Sequence, residues 1–87
     1  AGSPEEFLAD VNANPSNHGL RFKLAEAFLA NDQKEEAIEQ LLDIVKKDRN
    51  WQEDKARKKI IKLLEAFGED DPLTASTRLK LSSILFA

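Results

Sequence analysis

Apolar side chains recur at spacings of three and four residues along most of this chain, which places them on one face of an α-helix. In the clearest segment the apolar positions are Ala37, Ile38, Leu41, Leu42, Ile44 and Val45. Acidic residues of the same segment fall on the opposite face of the helix. No segment shows the strict alternation of apolar and polar residues that is typical of a half-buried strand. The sequence therefore predicts an all-α fold.

Helix start and stop signals divide the chain into five predicted helices. Ser3 and Asp71, each followed by a proline, are expected N-caps of the first and last helix. Asn17 or Ser16 is expected to cap the second helix, and Gly68 is a good terminator for the fourth. The predicted helices cover residues 4–14, 18–30, 34–47, 52–67 and 72–86.

The helices pair in a way that resembles the tetratricopeptide repeat (TPR), in which two helices recur with a period of about 34 residues. Ala25 takes the place of the small glycine of that pattern, and the interval from Phe28 to Ala37 matches it. The turns near Asp32 and Gly68 are slightly more than one period apart. We expect Ala25, Phe28 and Ala37 to have structural roles where helices approach closely.

This pattern predicts a single domain over residues 1–87, built as antiparallel helix hairpins in a right-handed, TPR-like stack. Its parts would be a half repeat (4–14), a first unit (15–50) and a second, divergent unit (51–87). In the second unit Leu73 replaces a small alanine and Thr77 a large apolar residue. Because the chain lacks methionine, we expect residues 1–3 to be a tag remnant and the chain to be a piece of a longer protein.

The charge and composition of the chain argue against several classes of function. The net charge is −3 at pH 7, which argues against general affinity for nucleic acid. No apolar run approaches the roughly 20 residues that span a membrane. The absence of cysteine excludes thiolate metal sites and is compatible with the cytoplasmic location that we expect. His18 stands alone, and Asp70 and Asp71 fit a turn and a cap. We therefore predict no catalytic, metal or cofactor site, and no enzyme.

Two groups of cations are candidate binding residues. Four lysines share one face of the fourth helix: Lys55, Lys58, Lys59 and Lys62. They form either a docking strip for acidic partners or, as we favour, a solvated face. Arg21 and Arg57 occupy equivalent positions in the two units, beside apolar arcs. Each either forms an internal ion pair or packs its stem, which we favour, or binds a carboxylate in the groove between helices.

Two apolar features do not fit a simple solvated surface. Trp51 lies in the charged connector after the third helix, and we expect it to wedge between the helical pairs and fix their angle. The alternative is an exposed aromatic residue that binds a partner. The fifth helix has apolar residues on both sides, with Leu81 on one and Leu79 and Phe86 on the other. Either both sides are buried or one side binds a partner.

A more specific resemblance depends on the order of several blocks, which are Pro15, RFKLAEAF, EEAIEQLLDIV, DRNW, ARKK, FGEDDP and RLKLSSILF. From Pro15 onward this order resembles the C-terminal domain of the thioredoxin-like chaperones called chaperedoxins. The resemblance implies a parent protein with an N-terminal thioredoxin domain. It also implies that the whole protein holds unfolding client proteins and passes them to a chaperonin.

In that family the C-terminal helix is implicated in docking to the chaperonin. Carried over by position, the resemblance points to Ala75, Arg78, Leu79, Ser82, Ser83 and Phe86. We expect apolar burial to drive docking, with Arg78 and Lys80 steering. The alternative is a domain that braces or dimerises its parent protein and has no client surface of its own. The same side of the helix would then be buried on the thioredoxin domain or in a weak homodimer.

Overall fold

The computed structural model describes residues 3–86 and folds them into five α-helices joined by short turns. The helices are α1 (Pro4–Ala13), α2 (His18–Ala30), α3 (Lys34–Lys47), α4 (Lys55–Phe67) and α5 (Pro72–Leu85). No strand occurs within these residues, so the all-α prediction is confirmed. Of the predicted tag remnant, Ala1 and Gly2 lie outside the described residues.

The expected caps hold the starts of α1, α2 and α5. Asn17 Oδ1 accepts a hydrogen bond from the Leu20 amide at 3.1 Å, so Asn17 rather than Ser16 caps α2. Ser3 and Asp71 cap α1 and α5 in the same way, with N···O distances of 3.4 and 2.9 Å. Each cap satisfies an amide that the first helical turn leaves without an intrahelical partner.

The prediction was wrong about the start of α4, which begins at Lys55 and not at Gln52. Gln52, Glu53 and Asp54 have φ angles of 46°, 57° and 66°, so they form a left-handed turn. That conformation costs roughly 1–2 kcal/mol for each residue that carries a Cβ. Trp51, just before this turn, packs against α2, and this tertiary contact is absent from any local sequence signal.

The centre of the stack lies between α2 and α3. α2 packs on α1 and, most extensively, on α3, while α3 also contacts α4 and α5. All six apolar residues predicted for the inner face of α3 are buried. Ala25 and Ala37 are buried in the same cluster, and Phe28 packs against it. Small residues at these positions let the backbones of α2 and α3 approach closely.

α2 buries a wider face than its periodicity predicts. The spacings of three and four along this helix predict burial of Leu20, Leu24, Ala25 and Phe28. Leu24 and Ala25 are buried, but Phe22 and Ala27 are buried too, while Leu20 and Phe28 are only half-buried. The physical reason is that α2 is covered on two sides, by α1 and by α3. The prediction of a single apolar face was therefore wrong for α2, because a helix that is covered on two sides buries residues on both.

One side of α5 faces the core, and two threonines are buried on that side. Thr74, Thr77 and Leu81 are buried. Thr74 Oγ1 donates a hydrogen bond to the Gly68 carbonyl at 2.7 Å. Within residues 3–86 the Thr77 hydroxyl has no hydrogen-bond partner. The departure from the repeat pattern at Thr77 therefore leaves an unsatisfied polar group in the interior.

Candidate functional site

Trp51 lies between the first and second hairpins. Its ring centroid is 5.7 Å from that of Phe22 and 6.1 Å from that of His18, so it covers the first two turns of α2. The residue is half-buried and packs against the main core. The ring also lies under Lys55 of α4, with the Lys55 Nζ 5.8 Å from its centroid, and the wedge role that we expected from the sequence stays a prediction.

Arg21 is engaged by neighbours within the fold. Its Nη1 donates to Gln40 Oε1 at 2.8 Å and its Nη2 to the Pro15 carbonyl at 3.3 Å. Nε lies 3.2 Å from Asp43 Oδ2, a distance for an ion pair, although the N–H is not aimed at that oxygen. With 13% of its side chain exposed, Arg21 ties α2 to α3 and to the preceding loop.

Arg57 has a more local contact. Its Nη2 lies 3.2 Å from Asp54 Oδ2, one turn earlier, and about a third of each side chain is exposed. An exposed pair of this kind contributes little to stability. The structure therefore gives the two equivalent arginines different surroundings, an interior network for Arg21 and a rim contact for Arg57.

The outer side of α5 is uncovered. The residues that the sequence assigned to partner binding are all exposed: Ala75, Arg78, Leu79, Ser82, Ser83 and Phe86. Leu79 is 71% exposed and Phe86 is 85% exposed, far more than other large apolar side chains such as Leu8 and Ile61. The small side chains around them leave both apolar groups accessible. We call this set of six residues the α5 outer face.

Two cations on α5 have acidic partners. Arg78 donates to both carboxylate oxygens of Glu69, at 2.7 and 2.6 Å. These hydrogen bonds, with the charge of Arg78, lower the pKa of Glu69 below its ordinary value. Lys80 Nζ lies 3.9 Å from Glu39 Oε1. The steering charge expected of Arg78 and Lys80 is thus partly neutralised within the fold.

Arg49 is distant from α5 in the sequence but forms hydrogen bonds with the C-terminal end of this helix. It donates to the Leu85 carbonyl at 3.4 Å and to the Ile84 carbonyl at 3.3 Å. These are carbonyls that the last turn of a helix leaves without intrahelical partners. This contact could not be predicted from the sequence, because nothing local in the DRNW segment connects it to the last turn of α5.

A shallow groove of about 450 Å³ lies between α2 and α4. Phe22 and Glu26 of α2 line one side, and the four lysines of α4 line the other with Gln52 and Glu53 at the rim. The set Lys55, Lys58, Lys59 and Lys62 is therefore gathered on one concave surface, which we call the lysine groove. The lysines could be recognised from the sequence, but the buried aromatic ring opposite them could not.

These features define an all-α helical-repeat domain whose candidate sites, among the described residues, are open surfaces. The family model for the tetratricopeptide repeat matches residues 1–86, and the chain belongs to this family. TPR domains generally mediate protein–protein interaction, and the family is a non-catalytic module. Comparison with curated proteins and with solved structures gives no match. Of the helices in residues 3–86, none is long and apolar enough to cross a membrane.

Proposed function

We propose that this domain is the protein-binding module of a cytoplasmic, thioredoxin-like co-chaperone, and that it docks to a chaperonin through the α5 outer face. The observation that carries the proposal is the exposure of Leu79 of α5 and of Phe86, the C-cap of the same helix, at 71% and 85%. Exposed apolar patches mark interaction sites, and Leu79 and Phe86 lie on the same side of α5, two helical turns apart. The resemblance to chaperedoxins supplies the identity of that partner.

Docking would be driven mainly by burial of the two apolar side chains. Fully burying a Leu or Phe side chain contributes about 1.5–3 kcal/mol. Arg78 and Lys80 would add orientation more than affinity, because both already face carboxylates. Arg49 supports the surface by holding the last carbonyls of α5, which keeps Phe86 next to an ordered helix end. Client proteins held by the parent protein would reach the chaperonin through this contact.

The test is co-sedimentation of the domain with the chaperonin of its source organism, comparing the parent chain with the double variant L79S/F86S. We expect the variant to bind at least about tenfold more weakly, since tenfold corresponds to only about 1.4 kcal/mol. Because both side chains are largely exposed, the melting temperature should change little. The matched control is L8S/I61S, which removes two partly exposed apolar side chains outside the α5 outer face.

The rival function is dimerisation or bracing of the parent protein. Sedimentation of the domain alone separates the two. A dimer that L79S/F86S converts to a monomer would assign the α5 outer face to self-association. A monomer that binds the chaperonin, with binding lost in L79S/F86S and kept in L8S/I61S, supports docking. Normal chaperonin binding by a folded L79S/F86S variant would refute the proposal.

A further inference from the structure

Three consecutive residues with positive φ angles join the two hairpins, and their sequence does not favour that conformation. Gln52, Glu53 and Asp54 have φ angles of 46°, 57° and 66°. Residues in this region normally occur singly, as Asp32 and Gly68 do in the turns before α3 and α5. Asp tolerates the left-handed region, whereas Gln and Glu adopt it only rarely. The turn formed by residues 51–54, which we call the connector turn, is therefore strained.

The conformation that the sequence favours for this turn is an extension of α4. The sequence predicts a helix from residue 52, since Gln and Glu are good helix formers. A helix through residues 52–54 would give the amides of Ala56 and Arg57 carbonyl acceptors four residues earlier. Neither of these hydrogen bonds is present among residues 3–86, and the Asp54 side chain caps no amide of α4. The start of α4 is thus less well hydrogen-bonded than the helix start that its sequence favours.

The contacts of Trp51 oppose this extension. Its ring centroid lies 5.7 Å from that of Phe22 and 6.1 Å from that of His18. Lys55, the first residue of α4, lies against the same ring, with its Nζ 5.8 Å from the centroid. Changing three pairs of backbone dihedral angles between Trp51 and Lys55 would redirect the chain and separate these groups. Strained backbone persists where tertiary contacts hold it, and here those contacts belong to one half-buried ring.

We propose that the connector turn is a two-state joint with Trp51 as its latch. In the latched state, which the structure shows, Trp51 packs on α2 and residues 52–54 are left-handed. In the released state Trp51 leaves α2, and residues 52–54 become right-handed and extend α4. A conflict between local preference and tertiary packing is typical of switch regions, where two packings differ little in free energy.

Arg49 connects this joint to the end of α5. Arg49 and Trp51 belong to the same turn, in which the Trp51 amide donates to the Asp48 carbonyl at 3.2 Å. Arg49 also donates to the carbonyls of Ile84 and Leu85. Displacement of Trp51 therefore moves Arg49 and leaves the C-terminal end of the α5 outer face without these hydrogen bonds. This coupling rests on the proposed docking at the α5 outer face, and it makes the latched state the form that docks.

The first test is Glu53→Gly, because glycine adopts positive φ angles without a steric cost. The side chain of Glu53 is exposed, so its removal changes little else. We expect the melting temperature to rise by about 4 °C. The matched control, Glu26→Gly, places glycine at an exposed position inside α2 and should lower the melting temperature by about 4–8 °C. If Glu53→Gly also lowers it, the connector turn is not left-handed in solution and the proposal is wrong.

The effect of glycine at position 53 should change sign when the latch is removed. In Trp51→Ala, residue 53 would lie in a right-handed helix, where glycine is destabilising. Adding Glu53→Gly to Trp51→Ala should therefore lower the melting temperature by about 4 °C. If glycine instead raises the melting temperature in both backgrounds, the turn stays left-handed without the ring, and the two-state joint is refuted.

A second variant keeps Trp51 and does not depend on the folding of Trp51→Ala. Q52A/E53A/D54A favours the right-handed helix, while the matched control Q52G/E53G/D54G removes the same side chains and permits the left-handed turn. Trp51 is the only tryptophan and the chain has no tyrosine, so fluorescence reports on the latch. We expect the alanine variant to shift the Trp51 emission to longer wavelength and to gain helical signal in circular dichroism. Parent-like emission, or a red shift with loss of helix, would overturn the proposal.

Co-sedimentation with the chaperonin tests the coupling separately from the joint. Q52A/E53A/D54A should bind at least about tenfold more weakly than Q52G/E53G/D54G, which has the same net charge. Equal binding by the two variants, with released-state fluorescence in the first, would overturn the coupling to α5. If the parent chain itself does not bind the chaperonin, the proposed function fails, while the melting and fluorescence measurements still decide whether the joint exists.

Discussion

The α2–α3 hairpin buries aliphatic side chains from both of its helices, whereas the α4–α5 hairpin brings Thr74 and Thr77 into its interior. α2 and α3 pack extensively on each other, while α4 and α5 make few mutual contacts and α5 lies more on α3. The first hairpin therefore carries most of the apolar burial. The second hairpin contributes less to the core and carries the α5 outer face and the lysines of the lysine groove.

The two hairpins also differ in whether their polar and apolar surface groups have partners within the fold. In the first hairpin, polar side chains such as Arg21 and Asp43 are engaged with each other across the helices. In the second, Leu79, Phe86 and the lysines of α4 are exposed or lack acidic partners among the described residues. Function on this domain is thus expected where the repeat departs most from its pattern.

The comparison is tested most strongly by removing one core side chain from each hairpin. Ile44→Ala in α3 should lower the free energy of unfolding by about 2–5 kcal/mol, because the residue is fully buried and its neighbours leave a cavity. Leu81→Ala in α5 should cost less, near the lower end of that range, because the side chain lies at the edge of the core. Urea unfolding measures both. Equal losses, or a larger loss for Leu81→Ala, would contradict the division between hairpins.

A smaller effect is expected from the two buried threonines, and its sign should differ between them. Thr77→Val replaces a hydroxyl that lacks a partner within residues 3–86 by a methyl group of similar shape, and should stabilise the domain by about 1 kcal/mol. Thr74→Val removes the hydrogen bond to the Gly68 carbonyl and should destabilise it by about 0.5–1.5 kcal/mol. The same urea measurement gives both signs. If Thr77→Val is destabilising, the Thr77 hydroxyl forms a favourable interaction in solution, and the second hairpin has no unsatisfied polar group at this position.

The regular parts of this fold could be predicted from the sequence, because they depend on local rules. The periodicity of α3 identified its whole buried face, and the caps at Ser3, Asn17 and Asp71 follow from side-chain chemistry two or three residues away. The start of α4 could not be predicted in this way. Its residues have ordinary helix propensities, and the packing of Trp51 on Phe22 overrides them.

The candidate surfaces were only partly predictable for the same reason. The exposed apolar side of α5 could be recognised because the helix is apolar on two sides and only one can face the core. The lysine row was visible too, but its groove requires Phe22, which lies outside the apolar spacing of Leu20, Leu24 and Phe28 along α2. Arg49 lies more than thirty residues from the carbonyls that it contacts, and local sequence patterns do not report such a distance.

The smallest expected effect concerns the ion pair between Arg78 and Glu69 at the edge of the second hairpin. Its hydrogen bonds and charge lower the pKa of Glu69 in the folded state. A lowered folded-state pKa means that the pair stabilises the domain above the ordinary pKa of glutamate, about 4.3, and that this contribution is lost as the pH falls through the lowered value. Glu69→Gln should therefore lower the melting temperature slightly at pH 7 and make no difference below the lowered pKa.

The matched control for this pH dependence is Glu65→Gln, which removes a carboxylate from α4 that has no cation within 4 Å among the described residues. The difference in melting temperature between the parent chain and Glu69→Gln should shrink between neutral and acidic pH, while Glu65→Gln should show no such trend. If the difference in melting temperature is constant across the pH range, Arg78 and Glu69 do not form an ion pair in solution. Arg78 would then be free to act on a partner, which would raise its expected share in docking at the α5 outer face.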